Sequence, residues 1–65
     1  MNIEAVDVPE WVRWIAQDAS GVWWGYSVEP LRFDKGWYEN EVGDTVRLGE
    51  TDVADWKSSL MKYAK

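Results

Sequence analysis

Trp11-Val12-Arg13-Trp14-Ile15-Ala16-Gln17, Asp18-Ala19-Ser20-Gly21 and Val22-Trp23-Trp24-Gly25-Tyr26-Ser27-Val28 follow one another in the stretch on which the fold turns. The two flanks are rich in aromatic and β-branched residues and the middle is made of turn formers, which together read as a β-hairpin. A type I turn closed by a left-handed glycine takes Ala19, Ser20 and Gly21 as its loop and pairs Asp18 with Val22. Counting outward sets Ala16 opposite Trp24, Trp14 opposite Tyr26 and Val12 opposite Val28, all on one apolar face. The other face is mixed, with Gln17 beside Trp23, Ile15 beside Gly25, Arg13 beside Ser27 and Trp11 at the far end. A slip of one residue scatters the clean face, so the pattern favours this register and makes the clean face the core.

Working outward, Pro30 cannot donate to a ladder and ends the second strand. Asp34-Lys35-Gly36 reads as a turn before a further strand at Trp37-Tyr38-Glu39, and Glu41-Val42-Gly43-Asp44 as a bend. Thr45-Val46-Arg47-Leu48 alternates, placing Val46 and Leu48 inward, and Gly49 stops it. Asp52 or Thr51 caps a helix predicted over 52–64, with Val53, Trp56, Leu60 and Tyr63 along one face. Asp52 and Asp55 near its start and Lys57, Lys62 and Lys65 towards its end match the helix dipole. The predicted architecture is α+β. A three- to four-stranded antiparallel meander over 11–48 carries the C-terminal helix on one face, with 1–9 as a lead-in to this single domain. Its core is Val12, Trp14, Trp24, Tyr26, Val46, Leu48, Trp56 and Leu60.

A chain of 65 residues supports one small domain with thin stability, and the absence of cysteine removes disulfides and thiolate zinc sites as staples. Met1 to Pro9 carries Glu4 and Asp7 and no long apolar run, so no signal peptide is expected, and no segment is long enough to span a bilayer. Cytoplasmic residence is the expectation. The formal charge of −5 repels phosphate backbones and argues against nucleic acid. With no histidine or cysteine, no nucleophile elbow and no phosphate loop, the chain is expected to be no enzyme. Glu39 and Glu41 are the one carboxylate pair, with little concavity available to tune them. No calcium-loop pattern occurs, and neither a metal nor a cofactor is implied.

Six tryptophans, three tyrosines and a phenylalanine are too many rings to bury in so short a chain. Trp23-Trp24 sharpens the point, because strand neighbours face opposite ways and the two rings cannot enter one core. In one reading Trp23 is covered by the N-terminal segment or the helix. In the other, Trp11, Ile15 and Trp23, edged by Arg13, form a binding patch of the kind that carries interface energy. Trp37-Tyr38 poses the same problem, and Trp37 joins the candidate binding residues, whereas Trp56 belongs to the core. The acids Glu39, Glu41, Asp44, Glu50, Asp52 and Asp55 read as a solvated face before they read as a mimic of phosphate.

Trp14-Ile15-Ala16-Gln17-Asp18, Gly21-Val22-Trp23-Trp24-Gly25-Tyr26, Pro30, Gly36-Trp37-Tyr38, Leu48-Gly49 and Asp55-Trp56-Lys57-Ser58-Ser59-Leu60 resemble small accessory proteins encoded by bacteriophages. The likeness spans about residues 9–60 and rests on ordered tryptophan and glycine spacings. It implies a phage setting in the host cytoplasm, without a mechanism or site residues to carry over. Small phage accessory proteins often act on host machinery or defence systems. The leading expectation is therefore a non-catalytic protein that binds and inhibits or redirects a host protein, such as a defence component, through an exposed aromatic sheet face. One alternative is a nucleotide-binding sponge formed by a homo-oligomer, its rings stacked on bases and Arg13, Arg32 or Arg47 on phosphate. The other is a purely structural homodimer.

Overall fold

A computed structural model describes residues 8–39 and 42–63 of the chain. The first seven residues of the lead-in, Glu41 of the bend and acidic stretch, and positions 64 and 65 beyond the last strand lie outside them. The described residues form β1 (Trp14–Gln17), β2 (Val22–Tyr26), β3 (Leu31–Phe33), β4 (Gly36–Tyr38), β5 (Thr45–Glu50) and β6 (Met61–Lys62), with a single 3-10 turn at Trp56–Ser58. One antiparallel sheet has the order β5-β2-β1-β6, and β3 and β4 form a separate two-stranded ribbon.

The first hairpin has the predicted register, with Trp14 opposite Tyr26, Ile15 opposite Gly25, Ala16 opposite Trp24 and Gln17 opposite Trp23. Its turn is the predicted one as well. Asp18 N–H donates to Val22 O at 2.9 Å, Gly21 N–H donates to Asp18 O at 3.1 Å, and Gly21 sits at φ 99°. Glycine is required there twice over, since a Cβ would also stand 2.4 Å from Thr51 O.

The α+β assignment is overturned: the fold is all-β, and no α-helix occurs among the described residues. The segment predicted as a helix instead closes the outer edge of β1. Ser59 Oγ accepts the Gln17 backbone N–H at 2.8 Å, Met61 and Lys62 pair with Ile15 and Trp14, and Tyr63 N–H donates to Arg13 O. A helix lying across the face would satisfy its own backbone and leave those edge groups of β1 without partners. The carbonyl of Asp52, the predicted cap, is taken by the buried Gln17 amide. The sheet is not a meander either, because the ribbon interrupts the path from β2 to β5 and β6 crosses to the far edge.

The core lies on the face that the sequence reading left mixed. Val8, Val12 and Ile15 form its centre, with Trp11, Val46, Leu48 and Tyr63 packed around them. The reason is Gly25, where an added Cβ would meet the Val12 methyl carbons at 2.9 and 3.1 Å and Val46 Cγ1 at 3.2 Å. The bare glycine backbone is a hollow that seats Val12, so the N-terminal segment packs on the Ile15 side and Val12 does not continue the strand. A bulge in β5, which sets Trp24 opposite Arg47 but Trp23 opposite Gly49, keeps Val46 and Leu48 turned to that core. The opposite face holds fully buried Ala16 and nearly buried Tyr26, with Trp14 and Trp24 half-buried.

Candidate functional site

The five residues singled out as binding anchors do not form one open patch. Ile15 is 1% exposed and belongs to the core, and Trp11 is half-buried against it. Trp23 is half-buried, its indole Nε1–H donating to Thr51 Oγ1 at 2.7 Å, so the loop after β5 ties the ring down. Arg13 is exposed and donates to Glu10 O at 2.6 Å. Trp37 lies apart from the other four, on the ribbon. Of the surface they were expected to form, Ile15 is covered and Trp11 and Trp23 are half-buried, while Arg13 stays exposed.

Leu31, Phe33 and Tyr38 cluster on the ribbon, while the other exposed large apolar side chains among the described residues, Val42, Val53 and Met61, lie elsewhere. Leu31 pairs with Tyr38, Arg32 with Trp37 and Phe33 with Gly36, so Leu31, Phe33 and Tyr38 share the outward face while Arg32 and Trp37 share the other. On the outward face Leu31 is 44%, Phe33 69% and Tyr38 45% exposed, while on the other face Trp37 is half-buried and Arg32 exposed. The Phe33 and Tyr38 rings meet edge to face, with centroids 5.8 Å apart at 83°. Three-residue strands have no core of their own, and the inner face fixes the ribbon to the sheet. Trp37 Nε1–H donates to Gln17 O at 2.9 Å, its ring meets Trp56 edge to face at 6.4 Å, and Ala19 N–H donates to Lys35 O at 2.8 Å.

Between ribbon and sheet lies a half-open cleft of about 340 Å³ lined by Asp18, Trp24, Tyr26, Lys35, Gly36, Trp37 and Thr45. Asp18 is the most heavily engaged group in it. Its Oδ1 accepts the Ser20 and Val22 backbone N–H groups and the Ser20 hydroxyl, and its Oδ2 accepts Trp24 Nε1–H at 3.0 Å. Burial alone would raise the Asp18 pKa, but the bonds from Ser20, Trp24 and Val22 together hold it below the ordinary carboxylate value. Tyr26 is pushed the other way, to about 12, by burial first and then by the charges of Asp18 and Glu39. It stays a neutral phenol at physiological pH.

Glu39, one of the two carboxylates weighed for acid–base chemistry, has its pKa raised by burial and then by Asp44, and its Oε1 is buried without a hydrogen bond. Its proposed companion Glu41 lies outside the described residues. Among the described residues no group of three or more acids could hold a metal ion, and no helix is long and apolar enough to cross a membrane. Comparison of the chain with family models, curated proteins and solved structures returns no match.

Leu31, Phe33 and Tyr38 were missed as a group because no strand was assigned to Leu31-Arg32-Phe33, between Pro30 and the Asp34-Lys35-Gly36 turn. The available signal was an apolar-charged-apolar triplet and an aromatic pair on either side of Asp34-Lys35-Gly36, which is a short hairpin.

Proposed function

We propose that the chain is a non-catalytic binding protein that docks a protein partner on the outer face of the β3–β4 ribbon. The observation that carries this reading is the clustering of Leu31, Phe33 and Tyr38, all substantially exposed, on a ribbon whose inner face is fixed to the sheet. Aromatic rings on a pre-positioned element lose little freedom on association and are typical interface anchors. The formal charge of −5 favours a partner with a basic rim around an apolar depression. In the phage setting suggested by the tryptophan and glycine spacings, that partner is a host protein which the chain inhibits or redirects by occlusion.

The test is affinity capture from a bacterial lysate with the wild-type chain and with Phe33→Ser/Tyr38→Ser, followed by reconstitution with the purified captured protein. Loss of at least tenfold in affinity with the fold intact is expected for the variant. Equal binding by both proteins would refute this placement of the site. A stable wild-type homodimer that the same two changes dissociate would assign the surface to self-association.

A further inference from the structure

The cleft beneath the ribbon is a second feature, separate from the apolar outer face. Its volume is within the range of small-ligand sites. The indole N–H groups of Trp24 and Trp37 are both spent inside the fold, on Asp18 and on the Gln17 carbonyl. What the two rings have left to offer a ligand is π surface, and donation to a carboxylate enriches the Trp24 ring in electrons. Tyr26 also lines the cleft, with only 4% of its surface exposed.

Charge decides which ligands such a site favours. Asp18 lines the cleft as a carboxylate, and the charge of Glu39 reaches Tyr26 from outside the lining. Lys35 is the one cation among the described residues of the lining, and it is exposed at the ribbon turn. Arg47, opposite Trp24, is paired with Glu50 at 3.3 Å, and Arg32, opposite Trp37, does not line the cleft. A phosphate-bearing ligand would meet the carboxylates with Lys35 alone to offset them. A weakly hydrated organic cation meets π surface backed by negative charge, the arrangement that recognises alkylated ammonium groups.

We propose that the cleft formed by Trp24, Tyr26, Trp37 and Asp18 binds an organic cation, an alkylated ammonium or a guanidinium group. The probes are choline and agmatine, titrated at constant ionic strength into isotope-labelled protein and read at the assigned indole N–H resonances of Trp24 and Trp37. Saturable shifts are expected with both probes and none with dimethylbutanol, the neutral carbon isostere of choline. Lys35→Ala, an exposed change that spares the fold, is expected to tighten choline binding about two- to fivefold by removing a like charge. Absence of saturable shifts with both cations, or equal shifts from the neutral isostere, would overturn the proposal. So would binding of adenosine monophosphate that weakens in Lys35→Ala while the cations do not bind. Phe33→Ser is expected to leave the titration unchanged, so failure of the cleft and failure of the ribbon surface are read separately.

Discussion

The Gln17 side-chain amide has two N–H donors and four oxygens within reach: Gly21 O at 3.2 Å, Thr51 Oγ1 at 3.2 Å, Thr51 O at 3.4 Å and Asp52 O at 3.2 Å. At 3% exposure, this one group satisfies carbonyls of the first turn and of the loop after β5 together. Gln17→Leu keeps the volume but leaves Thr51 O without this donor and the other three oxygens with one fewer, and a loss of about 1–3 kcal/mol is expected in urea unfolding. Asp18 makes stability depend on acid in a defined direction. Its folded-state pKa lies below the unfolded one, so its contribution is complete above about pH 4 and is lost as pH falls through the folded value. Asp18→Asn should cost about 1–3 kcal/mol at neutral pH, and the gap from wild type should close on acidification. Glu39 has the opposite sign. Its raised pKa means that the folded state disfavours the carboxylate, so Glu39→Gln is expected to raise the melting temperature at neutral pH and to lose that advantage once wild-type Glu39 is protonated.

The hairpin was legible from Trp14 to Tyr26, because turn chemistry and alternation both operate within fifteen or so residues of chain, but the expected pairing of Val12 with Val28 does not form. The face that forms the core was not legible. Gly25 reads as a gap in an apolar stripe until Val12 is seen to fill it, and the sequence does not say where the segment before β1 will lie. Gly25→Ala is expected to cost about 1–3 kcal/mol by overpacking. Val12→Ala alone is also destabilising, yet the double variant should lose less than the sum, with a coupling of about 0.5–3 kcal/mol in a thermodynamic cycle. Additive losses would show that the two residues do not share one space. The missed helix has a similar origin. Val53, Trp56, Leu60 and Tyr63 keep helical spacing, but the decisive groups are the backbone N–H and C=O of Gln17, which Ser59 serves from 42 residues away. No local pattern encodes such a demand.

The molecule measures 28 × 26 × 15 Å, and packed sheets alone stand about 10 Å apart, so it is barely more than one sheet with a cover on each face. The surplus of rings inferred from composition holds at this scale in Phe33 and Tyr38, which are exposed where Trp11 and Trp23 are half-buried. Trp23 and Trp37 are tied by indole N–H bonds, and the ribbon carries the exposed Leu31, Phe33 and Tyr38. Phe33→Ser should leave unfolding free energy within about 0.5 kcal/mol of wild type, since the side chain leaves water only on association. The pairing of β1 with β6 has a further consequence for how the protein is made. A nascent chain that has emerged only as far as β5 already displays the ribbon, but the outer edge of β1 stays bare until Ser59 and the residues after it have left the ribosome. The sheet is closed only once Ser59 to Tyr63 are free to pair with β1, so a chain cut after β5 should fold poorly and be cleared quickly by cellular proteases.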